Sequence, residues 1–487
     1  MLRKISDVGL KVATGIILAI ALVLSFTISD YYIFNRVGEF SVFFVISQWV
    51  KKAGLLLLPL AVYYRKKSCS DIFKYILPVF VIVSCCTFGS FFDVTPEGIA
   101  ETPAELLFAH MNGFMPKAAN MALFFLQNAL YLIACVLLFL RDGYKVKAKS
   151  FIYLPFALLS CMPLNIFENF FDIANFSRSS FFWFKNFTLW HFLMIGIVVG
   201  FTVGSYYFLR KKDKKVQEDF LAAVAIVMLI QYHSKDSMVI GDGYNVYHSV
   251  FACIPLFICN IGVYIAALSV FLKKRLLYAI SFFVHAAGAV SVFVYFGKDE
   301  MSNYGIIVSY SILYFCLTHI LLFALSVMPS ALRHYKFKMK DCIIPLVYYF
   351  AVIVVATVAS ALVTSYLTDY SYGGYVLGEV ATEQQLLPNY AFTQINPLPF
   401  EVNAWGVTIW KYEVKLAYIL GLYAAYVAIF FAFNGAHYAF LAVRKKVLEA
   451  VARRKAPAEE PPAEEPTGEV IEEAAIAEEP PQEEHIE

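Results

Sequence analysis

Lys51 and Lys52 stand near the middle of the apolar run 41–63, and His285 and His319 stand alone inside the runs 276–296 and 304–327. An ionisable side chain at mid-membrane costs roughly 2.5–3.5 kcal/mol on insertion scales, so it is expected to face a polar cavity or a partner. The lysine pair suits an anion or carboxylate site, or a proton-linked one; the bland alternative is a span starting at Ala53 with both lysines snorkelling outward. Each histidine suits a general base, a proton relay or a metal ligand, against the alternative of a core imidazole bonded to a neighbouring helix. His191, beside Trp190, reads as interfacial, and Glu168 as solvated. Eight of the nine Cys lie in or at the ends of apolar segments and read as buried small hydrophobes rather than a disulfide framework. There is no His-Glu-x-x-His, no Cys-x-x-Cys, no phosphate-cradling glycine loop and no Gly-x-Ser-x-Gly. No cofactor and no metal is expected.

The elements that must position these residues are membrane spans. Of 487 residues, 60% are hydrophobic and only 16% charged, with mean hydropathy +0.65. A soluble domain carries about 25% charged residues, and a helix crosses a bilayer in about 20 apolar ones. The composition predicts an all-α polytopic membrane helix bundle and excludes a nucleic-acid-binding domain. Twelve transmembrane helices are predicted at about 9–29, 41–63, 73–92, 119–140, 150–168, 188–209, 217–233, 248–271, 276–296, 304–327, 342–365 and 413–443. Spans five and seven are short. The first begins after Met1-Leu-Arg-Lys4 and lacks a small-residue cleavage site, so it reads as an uncleaved span.

Charge sets the orientation. Of the 39 Lys and Arg, 29 fall in the even-numbered gaps and at the termini, which places both termini on the cytoplasmic side. The net charge of +2 hides an asymmetry, because the last 32 residues hold twelve Glu and six Pro and no Lys or Arg. The segment 448–487 is expected to be a disordered acidic Pro/Glu-rich cytoplasmic tail, a solvated spacer or a dock for a protein partner.

The chain also reads as two tandem six-helix units, 1–212 and 213–447. Tyr144-Lys-Val-Lys-Ala-Lys149 recurs 191 residues on as Tyr335-Lys-Phe-Lys-Met-Lys340, and Arg65-Lys-Lys67 recurs 208 residues on as Lys273-Lys-Arg275. Six spans per unit make the repeat parallel. At these offsets Lys51 and Lys52 align with Cys259 and Asn260, Trp49 with Phe257, Gly54 with Gly262, and Asn128 with His319.

Pro255-Leu-Phe-Ile-Cys-Asn260, the Gly288 span, His319-Ile-Leu-Leu322, Asn389-Tyr-Ala-Phe392 with Pro397 and Pro399, and Trp405 and Trp410 follow in order over 217–445. In this order they resemble the YwaF-type integral membrane proteins. Eukaryotic relatives of that family are regarded as lipid acyltransferases using a Cys and a His. The resemblance implies Cys259 as nucleophile and His319 as base, with Asn260, Asn389 and Tyr390 near the substrate. Where the family has a histidine this chain has Phe257, which carries no proton.

Three readings follow. The first is a YwaF-type multi-pass protein that handles a lipid or amphipathic substrate in a polar intramembrane cavity, by acyl transfer if it is an enzyme. The second is a secondary transporter with a midplane site between two parallel repeats, using Lys51, Lys52 and Asn128. The Gly-x-x-x-Asp-Arg-x-Gly loop of the commonest such transporters is missing between spans two and three. The third is a scaffold recruiting partners through its tail. Multi-pass residence in a plasma membrane, bacterial by the family's usual source, is expected throughout, with the bilayer as the obligate partner; oligomeric state stays open.

Overall fold

A computed structural model describes residues 2–27, 57–86, 117–146, 148–162, 180–241, 254–294, 306–369, 371–372, 375–376, 390–394 and 404–455. Lys51, Lys52, Asn389 and the tail from Ala456 lie outside the described residues.

Helices dominate. They are α1 (Leu2–Thr27), α2 (Leu58–Val62), α3 (Lys67–Cys86), α4 (Lys117–Asp142), α5 (Tyr153–Cys161), α6 (Leu189–Leu209) and α7 (Lys214–Gly241). Then come α8 (Ile258–Leu272), α9 (Arg275–Ile280), α10 (Ala286–Val294), α11 (Tyr310–Ala331), α12 (Ile343–Asp369) and α13 (Leu416–Lys455). A π-helical turn, Ser281–His285, joins α9 to α10. Two short antiparallel hairpins, β1 (Ser371–Tyr372) with β2 (Tyr375–Val376) and β3 (Gly406–Ile409) with β4 (Tyr412–Lys415), stand between α12 and α13.

Among the described residues, six helices are long and apolar enough to cross a membrane: Met121–Asp142, Leu189–Leu209, Arg275–Phe293, Ile312–Ala331, Met339–Ser365 and Leu416–Val443. This is a multi-pass membrane protein embedded in lipid through these helices. Phe192 on α6, Val347 on α12 and Phe440 on α13 are among the large apolar side chains left exposed by protein; the bilayer covers such faces.

Proline sets several ends. Pro163 follows α5, and Met162 before it is extended (ψ 121), as the residue before a proline prefers. Span eight was expected from 248, yet among the described residues its helix starts only at Ile258. Phe257 is extended (φ −77, ψ 143), two residues after Pro255. Span seven, expected to be short, is a 28-residue helix with Leu221 to Ile230 buried without a break. A helix buried all round sits at the centre of a bundle. Accordingly α7 packs on α3 and α5 from the first half and on α8 and α11 from the second. One apolar core runs from Leu10 on α1 to Met328 on α11.

Residues 1–434 form one compact unit. Of the second unit, 435–487, the described part is helical to Lys455. The two Tyr-Lys-x-Lys-x-Lys segments have matching surroundings. Each follows a long helix and leads through a 3-10 turn, Ala148–Ile152 or Met339–Cys342, into the next helix.

Candidate functional site

The start of α8 holds Cys259 and Asn260 and meets the Tyr390 segment through Phe257. Phe257 is its N-cap and offers no side-chain cap. Cys259 and Asn260 follow in the first turn, both half-buried. Gly262 comes one turn after Ile258, on the same face.

His285 lies against that face. A Cβ at Gly262 would sit 2.7 Å from His285 Nδ1, so the bare backbone at 262 is what lets the imidazole in. The ring is 1% exposed, runs beside the Ile258 backbone, and has Nε2 3.2 Å from the Tyr348 hydroxyl. Its Nδ1 has no hydrogen-bond partner among the described residues. The π-turn inserts one residue into the α9–α10 rod and so sets the direction of His285; such turns recur at functional sites. Asn434, fully buried, donates to the turn's Phe283 carbonyl at 3.5 Å and to Phe430 O at 2.9 Å.

Tyr349 comes from the facing helix α12. Its ring stacks on Tyr423 and meets Tyr426 edge-on, both at 5.6 Å. Its hydroxyl is buried and has no hydrogen-bond partner among the described residues. Ile258, Val284, Gly288, Leu346, Tyr349 and Tyr426 line a cavity of about 20 Å³, room for about one water. Two orphaned polar atoms, His285 Nδ1 and Tyr349 Oη, therefore flank the first turn of α8. Buried polar atoms left unpaired in a protein call for an explanation, commonly a water or a ligand.

The third wall is the segment 390–394. Phe257 packs edge-on to Tyr390 (6.4 Å) and Phe392 (5.7 Å), so two motifs 133 residues apart in sequence meet. Tyr390 is fully buried, and its N–H donates to Ser360 Oγ at 3.1 Å. Ala391 and Phe392 are left-handed (φ 50 and 58), a conformation that costs roughly 1–2 kcal/mol per non-glycine residue. Tyr418 holds them by donating to Phe392 O at 2.5 Å, and Gln394 by donating to Ser360 O and Thr364 Oγ1.

His319 stands one helix over. It is buried on α11, which packs alongside α8. Its Nδ1 is 2.7 Å from the Phe315 carbonyl, an acceptor, so Nδ1 carries the hydrogen and Nε2 is the basic nitrogen of the neutral ring. The ring lies on Phe315 at 4.1 Å and meets Phe293 edge-on at 6.2 Å. No described contact joins it to Cys259. Asn128, on α4, is buried and donates to Phe124 O at 3.0 Å. Asn128 and His319, aligned at offset 191, thus make the same bond to a Phe carbonyl four residues back. Asn128 belongs to the first half and does not join the α8 site. Sequence reasoning weighed His285 as core and missed Tyr348 and Tyr349; the available signal was a glycine, Gly262, in the same apolar span as Cys259. Among the described residues no group of three His, Cys, Asp or Glu could hold a metal ion.

Residues 186–400 match the TMEM164 family, a stretch running from the end before α6 through the Tyr390 segment. It overlaps most of the 217–445 region whose motifs resemble the YwaF type. No curated protein and no solved structure matches the chain.

Proposed function

We propose that the second half of the chain transfers an acyl group between lipids at the start of α8. Cys259 is the nucleophile. Its thiol gives a proton to a histidine, attacks the carbonyl of a lipid ester and forms a thioester, and the departing alkoxide takes the proton from the imidazolium. The hydroxyl of a second lipid then attacks the thioester, again with the imidazole taking the proton, and the thiol is restored as the proton returns.

His319 is the base in this reading. Its bond to Phe315 O fixes the tautomer a base needs, with Nε2 as the proton acceptor. Tyr349 supplies the donor for the oxyanion that forms at the carbonyl. Asn260, Asn389 and Tyr390 border the substrate, and Phe257 with Phe392 makes that border apolar, as an acyl chain requires. The observation that carries the reading is the unpartnered Tyr349 hydroxyl beside a cavity that Ile258, the residue before Cys259, also lines. The match of 186–400 to a membrane family supports it. Around this site the chain forms twelve spans in two parallel six-helix units, 1–212 and 213–447, with both termini and the tail on the cytoplasmic side.

An activity-based acyl probe applied to purified protein tests this. Labelling should be abolished by Cys259→Ala, fall about 10²–10³-fold in Tyr349→Phe as for loss of an oxyanion donor, and fall in His319→Gln. If His285→Gln abolishes labelling while His319→Gln does not, the base is His285. Full labelling of Cys259→Ala would remove the nucleophile from the reading.

A further inference from the structure

The first half carries a cleft of different chemistry. A cleft of about 620 Å³ opens where α1, α2, α3 and α4 meet, lined by the cations Arg3, Lys4, Arg65, Lys67 and Arg141. Asp7 and Asp142 also line it, so its charge has to be followed pair by pair.

The deepest charges are matched. Lys74, fully buried, donates to Asp71 and to Asp142, each at 2.8 Å, and lies 4.2 Å from the centre of the Tyr144 ring. Arg141 donates to Asp142, to Ser70 Oγ and to the Ala61 and Val62 carbonyls at the end of α2. Lys74 and Arg141 thus balance Asp71 and Asp142. Asp7 is shared by Arg65 at 2.6 Å and Lys11 at 3.0 Å, and Lys67 reaches Asp71 at 3.4 Å. The cleft's own lining thus sets five cations against two carboxylates, Asp7 and Asp142.

The surplus gathers at the mouth. Arg3 and Lys4 are exposed and make no ion pair among the described residues. Arg3 is nevertheless placed. Gly143, after α4, is left-handed (φ +57), and a Cβ there would lie 2.7 Å from Arg3 Nη2. The glycine lets the guanidinium lie over the end of α4. The apolar run expected to form the first span begins at Gly9, and a span starting there puts Arg3 and Lys4 within about two turns of the hydrocarbon edge, at headgroup depth.

We infer that this cleft binds a phosphate-bearing anion, with Arg3 and Lys4 as its primary ligands and Arg65 and Lys67 behind them. A guanidinium fork and an ammonium over a pre-neutralised floor suit phosphate oxygens, and charge-assisted bonds to phosphate are about twice as strong as neutral ones. The phosphate can come from a phospholipid headgroup or from a soluble phosphate compound, and the depth of Arg3 and Lys4 favours the lipid. The inference does not depend on acyl transfer at Cys259.

Full-length protein in neutral detergent would be titrated with dihexanoyl phosphatidic acid and, separately, with inorganic phosphate, by calorimetry. Arg3→Gln/Lys4→Gln would be compared with Lys211→Gln/Lys212→Gln, which removes equal charge from two exposed lysines outside the cleft. The expected result is binding of the short-chain lipid, weakened about tenfold or more by the first pair and less than about twofold by the second. Displacement of the lipid by millimolar inorganic phosphate, or binding of phosphate alone, would assign the site to soluble phosphate compounds. Absence of binding by both probes, or equal weakening by both double variants, would overturn the inference.

Discussion

At the scale of single residues, the account turns on atoms that lack a partner and on the neighbours that leave room for them. His285 approaches α8 so closely that Gly262→Ala forces the imidazole or the helix to shift. That overpacking should cost about 1–3 kcal/mol and lower the thermal midpoint of purified protein; an unchanged midpoint would mean the ring has room to move. A second residue-scale expectation concerns pH. His334 follows α11, and its Nε2 lies 2.6 Å from Gln217 Oε1. Burial, reinforced by Lys214 and Lys273 and opposed by Glu218, holds its pKa below the ordinary 6.5. A histidine whose folded pKa is depressed contributes stability above its unfolded pKa, and that contribution is lost as pH falls through the folded value. Wild-type protein should therefore lose thermal stability below about pH 6.5 more steeply than His334→Gln. Equal slopes would show that the imidazole titrates as it does unfolded.

At the scale of elements, the buried pairs between α3 and α4 hold the first half together. Lys74→Met removes the cation shared by Asp71 and Asp142 and leaves Asp142 with Arg141 and Asp71 with the half-exposed Lys67. Removing one partner of a buried ion pair costs about 3–5 kcal/mol, and Lys74→Met/Asp142→Asn should recover part of the loss in a thermal melt. A single variant as stable as wild type would contradict that role. The helices themselves were legible from hydropathy, because runs such as 188–209 and 304–327 are as long as a bilayer is thick. Their ends were less legible. Pro255 delays α8 to Ile258, and the burial of α7 depends on neighbours far away in sequence. The site was legible in part. Cys259, His319 and Tyr390 stand out as residue types in order, and the meeting of Phe257 with Tyr390 fits that order. His285 and Tyr349 did not stand out, since their importance comes from which helix faces α8 and from the π-turn, and no local pattern encodes either. Lys51, Lys52 and Asn389 lie outside the described residues.

At the scale of the whole molecule, the proposed parallel repeat puts the two Tyr-Lys-x-Lys-x-Lys loops on one side of the membrane. Single cysteines replacing Lys145 and Lys336 should react with an impermeant thiol reagent from the same side, the cytoplasmic one. Labelling from opposite sides would break the six-plus-six arrangement. The phosphate cleft and the α8 site then occupy separate halves of the chain, each with its own ligand chemistry: the first charged, the second apolar with two orphaned polar atoms. Acyl transfer is the central claim, and the most direct test is the mass of the intermediate. Purified protein incubated with a phospholipid and no acceptor would be quenched in acid, digested and examined by mass spectrometry. The expected result is an acyl mass on the peptide carrying Cys259, removed by hydroxylamine and absent from His319→Gln. An unmodified Cys259 at every time point, with the lipid intact, would contradict the claim and leave the thiol as packing.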